Sequence, residues 1–119
     1  MNEPASFKGP LPDDVQFADE DDTVILHKDA HNIYGHCMAM ATKDGWLKYD
    51  GRRPFIITRA AYAGTQRYAL VWTGDNQSIW AHLQMAIPQL CNLGLSGFSY
   101  AGTDVGGFGA DTTKELLAR

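Results

Sequence analysis

The sequence predicts an α/β fold built on a parallel sheet. Short apolar runs alternate along the chain with segments whose apolar residues recur at helical spacing. The runs are continuous rather than alternating, which is typical of strands covered on both faces of a parallel sheet. Two of them end in polar clusters that contain a carboxylate, Asp75 and Asp104. Because ligand sites in such folds are built from the loops after the strand ends, these clusters predict a binding site.

The composition argues against several classes of protein. The 119 residues carry a formal net charge of −4 and contain no basic patch, so we predict no nucleic-acid partner. No apolar run approaches the roughly 18 residues that a membrane-spanning helix needs, and no signal peptide is visible. We therefore predict a cytoplasmic protein without a membrane partner. The sequence leaves the oligomeric state open.

The first 22 residues are predicted as loop. Residues 1–12 hold three of the five prolines, and Glu3 among them is interpreted as a loop carboxylate. Residues 13–22 carry six acids but lack the glycine and the closing glutamate of an EF-hand calcium loop. We therefore predict a solvated, mobile acidic loop at 13–22.

Residues 30–42 have the spacing of a helix, and Asp29 is placed to cap its N-terminus. Its apolar face is predicted to comprise Ile33, Cys37, Met40 and Ala41. Both cysteines of the chain lie within helical apolar patterns, which predicts buried, reduced thiols at Cys37 and Cys91.

Three histidines near this helix raise the question of a metal site. His27 and His31 are four residues apart, but His27 precedes the predicted cap, and no acidic residue stands at the required spacing. We therefore predict no metal site, and we interpret His27, His31 and His36 as solvated or capping side chains.

Two strands and an arginine follow. Residues 43–54 contain Asp-Gly twice and are predicted as a turn-rich connection. Residues 55–58 read as a buried strand, and Arg59 follows it at once. A guanidinium there can hold a carboxylate or a sugar hydroxyl, or form a structural ion pair, and the residues alone leave both open. Residues 60–67 are too short for a helix, so the next strand, 68–73, comes early.

A helix is predicted after Asp75. Pro88 predicts a kink or a local break in it, and Gly94 suits the left-handed position at its end. Residues 96–101 are predicted as the third strand.

The glycine-rich loop 102–109 follows that strand. It lacks the Lys-Ser/Thr ending of a phosphate-binding loop, so we interpret its glycines as allowing close approach of backbone or ligand. The last helix is predicted to be capped by Asp111 or Thr112.

Carboxylates at neighbouring strand ends suit glycoside hydrolysis, in which an acid and a nucleophile or base flank the bond. Trp72 and Phe108 are among the aromatics on which a sugar could stack. The alternative for Asp75 is that it caps the following helix. The two roles conflict, because a helix N-terminus favours a charged carboxylate whereas a general acid must hold a proton.

At these residues the sequence resembles glycoside hydrolase family 31, the retaining α-glucosidases and their relatives. The resemblance covers nearly the whole chain and rests on several motifs in the order and spacing of the family: MNEPASF, HNIYG, RPFIITRAAYAGTQRY, WTGDN and IPQLCNLGLSGFSYAGTDVGGF. It implies a partial (β/α)8 TIM barrel within residues 1–119. The piece would run from the loop after strand 4 through the helix after strand 7, with the acidic loop 13–22 inside it.

The resemblance also implies roles for individual residues. Asp75, in WTGDN, matches the general acid/base of the family. No metal or organic cofactor is implied, and the partner would be an oligosaccharide substrate. The positions that match the lining of the sugar pocket, Asp104 less closely than the others, are Met1, Arg59, Trp72, Asp104 and Phe108.

The family nucleophile is an aspartate directly before MNEP, and here Met1 begins the sequence. Glu3 matches a supporting residue of the family and not the nucleophile. We therefore expect the 119-residue chain to be part of a longer α-glucosidase and to be inactive alone. Alternatives are a relative of other specificity, such as an α-xylosidase or an α-galactosidase-like enzyme, a carbohydrate-binding relative without catalysis, or an unrelated α/β module.

Overall fold

The chain alternates strands and helices along most of its length. The computed structural model describes residues 4–18 and 21–119. In chain order the elements are β1 (Gln16–Ala18), β2 (Val24–Leu26), α1 (His27–Asp50), β3 (Ile57–Thr58), a 3-10 turn (Thr65–Arg67), β4 (Leu70–Trp72), α2 (Trp80–Leu95), β5 (Ala101–Gly102) and α3 (Lys114–Leu117).

A three-stranded parallel sheet lies at the centre, in the order β3, β4, β5. Val71 of β4 stands opposite Thr58 on one side and Ala101 on the other. Val71 is only 5% exposed, and Thr58 is 1% exposed. The predicted parallel sheet is therefore confirmed, and the carboxyl ends of its three strands meet at one edge.

The strands are shorter than the apolar runs that predicted them. β3 was expected from residue 55, but Phe55 is 79% exposed and pairing begins at Ile57. The third strand was expected over 96–101, but the backbone N–H of Phe98 donates to Leu93 O at 3.0 Å and Gly97 adopts φ 87°. These bonds fold 96–98 back onto the end of α2, which leaves little chain to pair with β4.

The acidic segment 13–22 is not simply a loop. Its residues 16–18 form β1, which pairs with β2 as an antiparallel hairpin, with Phe17 opposite Ile25. The Phe17 ring lies 5.6 Å from that of Tyr34 on α1, and this contact anchors the hairpin. Between β1 and β2, the Thr23 hydroxyl donates to Asp21 at 2.8 Å and lowers the pKa of that carboxyl.

Helix α1 is nearly twice as long as predicted. It begins at His27, after the apolar residue Leu26, so Asp29 lies in its first turn rather than at its cap. Residues 43–50, predicted as a turn-rich connection, continue the helix. The second Asp-Gly pair ends it, because Gly51 adopts φ 71° and its N–H donates to Leu47 O at 2.9 Å.

Three of the four buried residues of α1 are small, and none of the four belongs to the predicted apolar face. The predicted face is largely exposed, because Ile33 is 38% exposed and Cys37 is also exposed. The residues buried instead are His27, Ala30, Gly35 and Ala39.

The two cysteines of the chain, both within the described residues, are free thiols. The prediction that they are reduced agrees with this, whereas the prediction that they are buried is wrong, because Cys37 and Cys91 are both exposed.

Two of the three histidines on α1 form hydrogen-bond contacts within the protein. His27 is 4% exposed, with Nδ1 at 3.0 Å from Pro12 O and Nε2 at 2.7 Å from His31 Nδ1. His36 Nδ1 lies 2.9 Å from Oγ1 of the fully buried Thr65. The interpretation of His27 and His36 as solvated or capping residues is therefore wrong, because each ring ties α1 to a neighbouring loop.

The last two helices differ from prediction at their ends. α2 runs unbroken from Trp80 to Leu95 with Pro88 inside it, so the local break predicted as one option did not form. Gly94 remains helical, and Gly97 takes the left-handed conformation instead. α3 is capped by Thr113, whose side chain accepts from Leu116 N at 3.1 Å, rather than by one of the two preceding residues.

The apolar core is small for the length of the chain. Many large apolar side chains are exposed, among them Phe55, Tyr100 and Leu95, which is 89% exposed. The radius of gyration is 17.0 Å, against about 13–14 Å for a compact domain of this length. Within the described part, no helix combines the length and apolarity needed to cross a membrane.

Candidate active site

The candidate site is formed by the three loops that leave the carboxyl ends of β3, β4 and β5. Each parallel strand delivers its loop to the same edge of the sheet. Four of the predicted site residues, Arg59, Trp72, Asp75 and Asp104, lie at a strand end or within three residues of one. Phe108 lies further along the third loop, and Met1 lies outside the described residues.

Arg59 is held at the end of β3 by a turn that Thr58 closes. The Thr58 hydroxyl donates to Ala60 O at 3.0 Å, and Ala60 N approaches the same hydroxyl at 3.2 Å. Because Thr58 is almost fully buried, this turn fixes the backbone on both sides of the arginine. Arg59 is half-buried and borders a cavity of about 440 Å³ together with Trp72.

Trp72 and Asp104 are in direct contact. Trp72 ends β4, and its indole Nε1 donates to Asp104 Oδ2 at 3.2 Å across 32 residues of sequence. Both side chains are half-buried, so the hydrogen bond orients a carboxylate that still reaches the surface. The sequence predicted both residues at the site but not the bond between them.

Asp75 does not cap a helix. Helix α2 begins at Trp80, and the apolar Ile79 occupies the N-cap position, four residues after Asp75. The Asp75 side chain is exposed, and no hydrogen bond or ion pair of its carboxylate is present among the described residues. The helix-cap alternative is therefore wrong, and the carboxylate is open to solvent at the mouth of a cavity of about 150 Å³.

Three buried polar atoms accompany Asp75 at this cavity. Thr73 Oγ1, Asn76 Oδ1 and Thr103 Oγ1 have no hydrogen-bond partner among the residues that the structure describes. All three residues line the cavity beside Asp75. A buried polar group without a partner costs about 1–3 kcal/mol, so these three atoms can each gain a hydrogen bond from water or from a polar ligand in the cavity.

These threonines were missed as site residues, although the sequence carries a signal for them. Thr73 follows β4 directly in TGD, and Thr103 follows β5 directly in GTD. The two strand ends are neighbours, because Thr73 N donates to Gly102 O at 3.1 Å. The repeated threonine next to each strand-end aspartate therefore marks one shared polar cavity.

The loop with Asp75 and the loop with Phe108 are bonded backbone to backbone. Phe108 N donates to Asn76 O at 2.7 Å, and Ser78 N donates to Gly109 O at 2.7 Å. Phe108 itself is 66% exposed. The structure therefore joins Trp72 with Asp104 directly and holds Asp75 and Phe108 on neighbouring backbone.

The whole chain is similar to known proteins. The family described as "Glycosyl hydrolases family 31 TIM-barrel domain" matches residues 1–119. Alpha-glucosidase 2 of Bacillus thermoamyloliquefaciens is 50% identical over 121 residues, which cover 100% of this chain and 15% of that protein.

Solved structures agree with this match. The ER glucosidase II heterodimeric complex, of catalytic subunit and binding domain of the regulatory subunit, has a TM-score of 0.86 at 41% identity. The glucosidase II alpha subunit with Glc1Man2 bound has a TM-score of 0.85 at 41% identity. In both cases the match covers 98% of this chain and 13% of the other chain. This chain thus spans a small part of its relatives, and it belongs to the TIM-barrel domain of glycosyl hydrolase family 31.

Proposed function

We propose that the longer protein carrying this chain is a retaining α-glucosidase that releases terminal α-linked glucose from oligosaccharides. The observation that carries the proposal is the placement of Asp75. It is an exposed carboxylate in the loop after β4, at the same edge of the sheet as the Trp72–Asp104 pair and not at a helix cap. The names of the relatives, alpha-glucosidase 2 and glucosidase II, support glucose as the sugar.

Asp75 serves as the general acid/base of this reaction. The nucleophile, by family resemblance, is an aspartate immediately before Met1. Its oxygen attacks the anomeric carbon and displaces the leaving sugar, whose oxygen takes the proton from Asp75. Asp75, now charged, then removes a proton from the water that hydrolyses the glycosyl-enzyme. Because Asp75 is exposed, its carboxyl is accessible both to the leaving oxygen and to the water of the second step.

The sugar is held by the residues that match the pocket of the family. Arg59 offers donors to sugar hydroxyls, and Asp104, oriented by Trp72, offers acceptors. Phe108, together with the indole of Trp72, supplies apolar surface. Met1, outside the described residues, matches a pocket position of the family only by resemblance. None of these steps requires a metal or an organic cofactor.

The position of the chain in the barrel follows from the same resemblance. β3, β4 and β5 are barrel strands 5, 6 and 7, and residues 1–119 run from the loop after strand 4 through the helix after strand 7. The parallel order of the three strands is that of three consecutive barrel strands, and the numbers assigned to them rest on the resemblance. The segment 13–22 is an excursion of the loop that leads into α1.

The partner is an oligosaccharide, and neither nucleic acid nor a membrane is expected. One relative was solved with Glc1Man2 bound, which supports this class of ligand. The cytoplasmic location stays a prediction of the sequence, and one relative is an ER glucosidase.

Purified full-length protein incubated with aryl α-glucoside, α-xyloside and α-galactoside tests the proposal. We expect α-glucoside to be cleaved fastest, and NMR of the fresh product to show α-glucose before it mutarotates. Faster cleavage of α-xyloside or α-galactoside would assign another specificity. Saturable binding of maltose without hydrolysis would indicate a carbohydrate-binding protein. The absence of both binding and hydrolysis would indicate an unrelated α/β module.

The Trp72–Asp104 hydrogen bond gives a further expected result. Trp72→Phe keeps an aromatic ring but removes the donor, so Asp104 loses a partner worth about 1.5–3 kcal/mol. We expect the KM for maltose to rise by roughly tenfold. Trp46→Phe, at an exposed position of α1, is the matched control and should leave KM unchanged. Equal KM values for the two variants would contradict a role of this bond in binding.

A further inference from the structure

We propose that Gly107 is a positioning residue that fixes the backbone of the Asp75 loop. Gly107 lies in the loop after β5, 32 residues along the chain from Asp75. It touches no reacting group in the proposed mechanism. Its effect passes through the backbone of residues 76–78, which it contacts closely. The consequence for catalysis rests on the proposed role of Asp75, whereas the effect on the loop does not.

Four hydrogen bonds join the two loops over a short stretch. Asn76 O accepts from Phe108 N at 2.7 Å and from Gly109 N at 3.0 Å. Ser78 N donates to Gly109 O at 2.7 Å, and Ser78 Oγ donates to Ala110 O at 3.1 Å. Gln77 and Gly109 form a parallel bridge within this set. These bonds, here called the loop clamp, hold residues 76–78 against residues 108–110.

The loop clamp closes only because residue 107 has no side chain. A Cβ on Gly107 would lie 2.6 Å from both Cα and N of Ser78, closer than real Cβ atoms approach. The obstacle is backbone, so no side-chain rotation relieves it. Gly107 also has φ 88°, a conformation that L side chains rarely adopt. A methyl group at 107 must therefore push the backbone of residues 77–78 away.

Displacement of this backbone moves Asp75. Its carboxylate is exposed and has no hydrogen bond or ion pair among the described residues, so its position follows from the backbone around it. Asn76, the residue after Asp75, is held by the loop clamp through its carbonyl oxygen. A general acid must lie within hydrogen-bond reach of the leaving oxygen, and a misplacement of about 1 Å can cost about 100-fold.

Gly107 also connects the clamp to Asp104. Its N–H donates to Asp104 O at 3.0 Å and closes a turn between the strand-end aspartate and the clamp. One residue thus sets the spacing between the loop that carries the acid/base and the loop that carries the sugar-binding carboxylate.

Other glycines of the chain provide controls. Gly97 has nearly the same backbone angle, φ 87°, but a Cβ there would meet only the end of the Gln66 side chain, at 3.4 Å. Gly97→Ala therefore carries similar backbone strain without the clash. At Gly109 a Cβ would lie 2.6 Å from the Gln77 amide, which is the far end of a flexible side chain that can rotate away.

Gly107→Ala and Gly97→Ala in the full-length protein test the proposal with two substrates. Maltose has a poor leaving group and needs protonation, whereas 2,4-dinitrophenyl α-glucoside leaves without it. We expect Gly107→Ala to lower kcat/KM for maltose by about 100-fold and kcat/KM for the activated glucoside by less than threefold, because kcat/KM reports the first step, which needs no proton with the activated glucoside. Gly97→Ala should lower kcat/KM for the two substrates slightly and to the same extent. Gly109→Ala should behave like Gly97→Ala.

Hydrogen exchange measures the clamp without activity. We expect the amides of residues 76–79 to exchange at least tenfold faster in Gly107→Ala than in Gly97→Ala. If the wild type hydrolyses no glycoside, the proposed function fails. The exchange rates of residues 76–79 in the two variants still show whether Gly107 fixes the backbone of this loop. Unchanged exchange, or an equal loss on both substrates, would overturn the proposal.

Ser78→Ala covers the case in which Gly107→Ala does not fold. It removes only the bond from Ser78 Oγ to Ala110 O and adds no bulk. We expect a severalfold loss with maltose, a smaller loss with the activated glucoside, and faster exchange of the same amides. Wild-type behaviour of Ser78→Ala in all three measurements would count against the loop clamp.

Discussion

Replacing Asp75 by alanine in the full-length protein is expected to lower kcat/KM for maltose by about 10²–10⁴-fold, the usual contribution of a general acid/base. The leaving glucose would depart as an unprotonated alkoxide, and the water of the second step would attack without a base. The fold should survive, because Asp75 is exposed and caps no helix. The measurement is steady-state hydrolysis, with thermal unfolding as a check on folding.

The loss should depend on the leaving group. With 2,4-dinitrophenyl α-glucoside the first step needs no proton, so the glycosyl-enzyme accumulates and its hydrolysis becomes limiting. Azide attacks without losing a proton, and it should therefore restore turnover and yield α-glucosyl azide. Asp44→Ala, an exposed aspartate of α1, is the control and should behave as wild type. A loss that is equal for both substrates and insensitive to azide would exclude Asp75 as the acid/base.

The 119-residue chain expressed alone is expected to hydrolyse no aryl α-glucoside above a buffer blank. Retaining hydrolysis requires two carboxylates, and only the acid/base, Asp75, has a counterpart in this chain by family resemblance. Losing a catalytic nucleophile costs on the order of 10⁶-fold in rate. The full-length protein, assayed at equal molar concentration, is the positive control. Hydrolysis that elutes with the purified 119-residue chain would contradict this expectation.

The same polypeptide should also self-associate. The outer edges of β3 and β5 lack a paired strand in the three-stranded sheet of the described residues. Apolar side chains such as Phe55 and Leu95 are largely exposed, and the radius of gyration exceeds that of a compact domain. We expect light scattering to show oligomers and urea to produce a broad transition. A monomer with one sharp unfolding transition would show that the chain is stable by itself.

The elements of the sheet could be predicted from the sequence because they depend on local pattern. Continuous apolar runs, polar strand ends and a helix after Asp75 predicted a parallel sheet, and several motifs along the chain, WTGDN among them, predicted the family. The predictions failed where burial depends on contacts between elements that are distant in the sequence. Helix α1 buries Ala30, Gly35 and Ala39, whereas Ile33, on the predicted apolar face, is exposed. Helical periodicity shows which residues share a face, but it does not show which face packs against the rest of the protein.

The sequence by itself determined the family, the parallel sheet and the position of Asp75 and Asp104 after their strands. Only the tertiary structure decided that Trp72 donates to Asp104, that Asp75 caps no helix and that Gly107 packs against Ser78. Trp72 and Asp104 are 32 residues apart along the chain. The physical reason is the separation along the sequence over which each effect acts. Hydrophobic period and turn residues act over a few positions, whereas such contacts exist only after the strands pair and their loops meet.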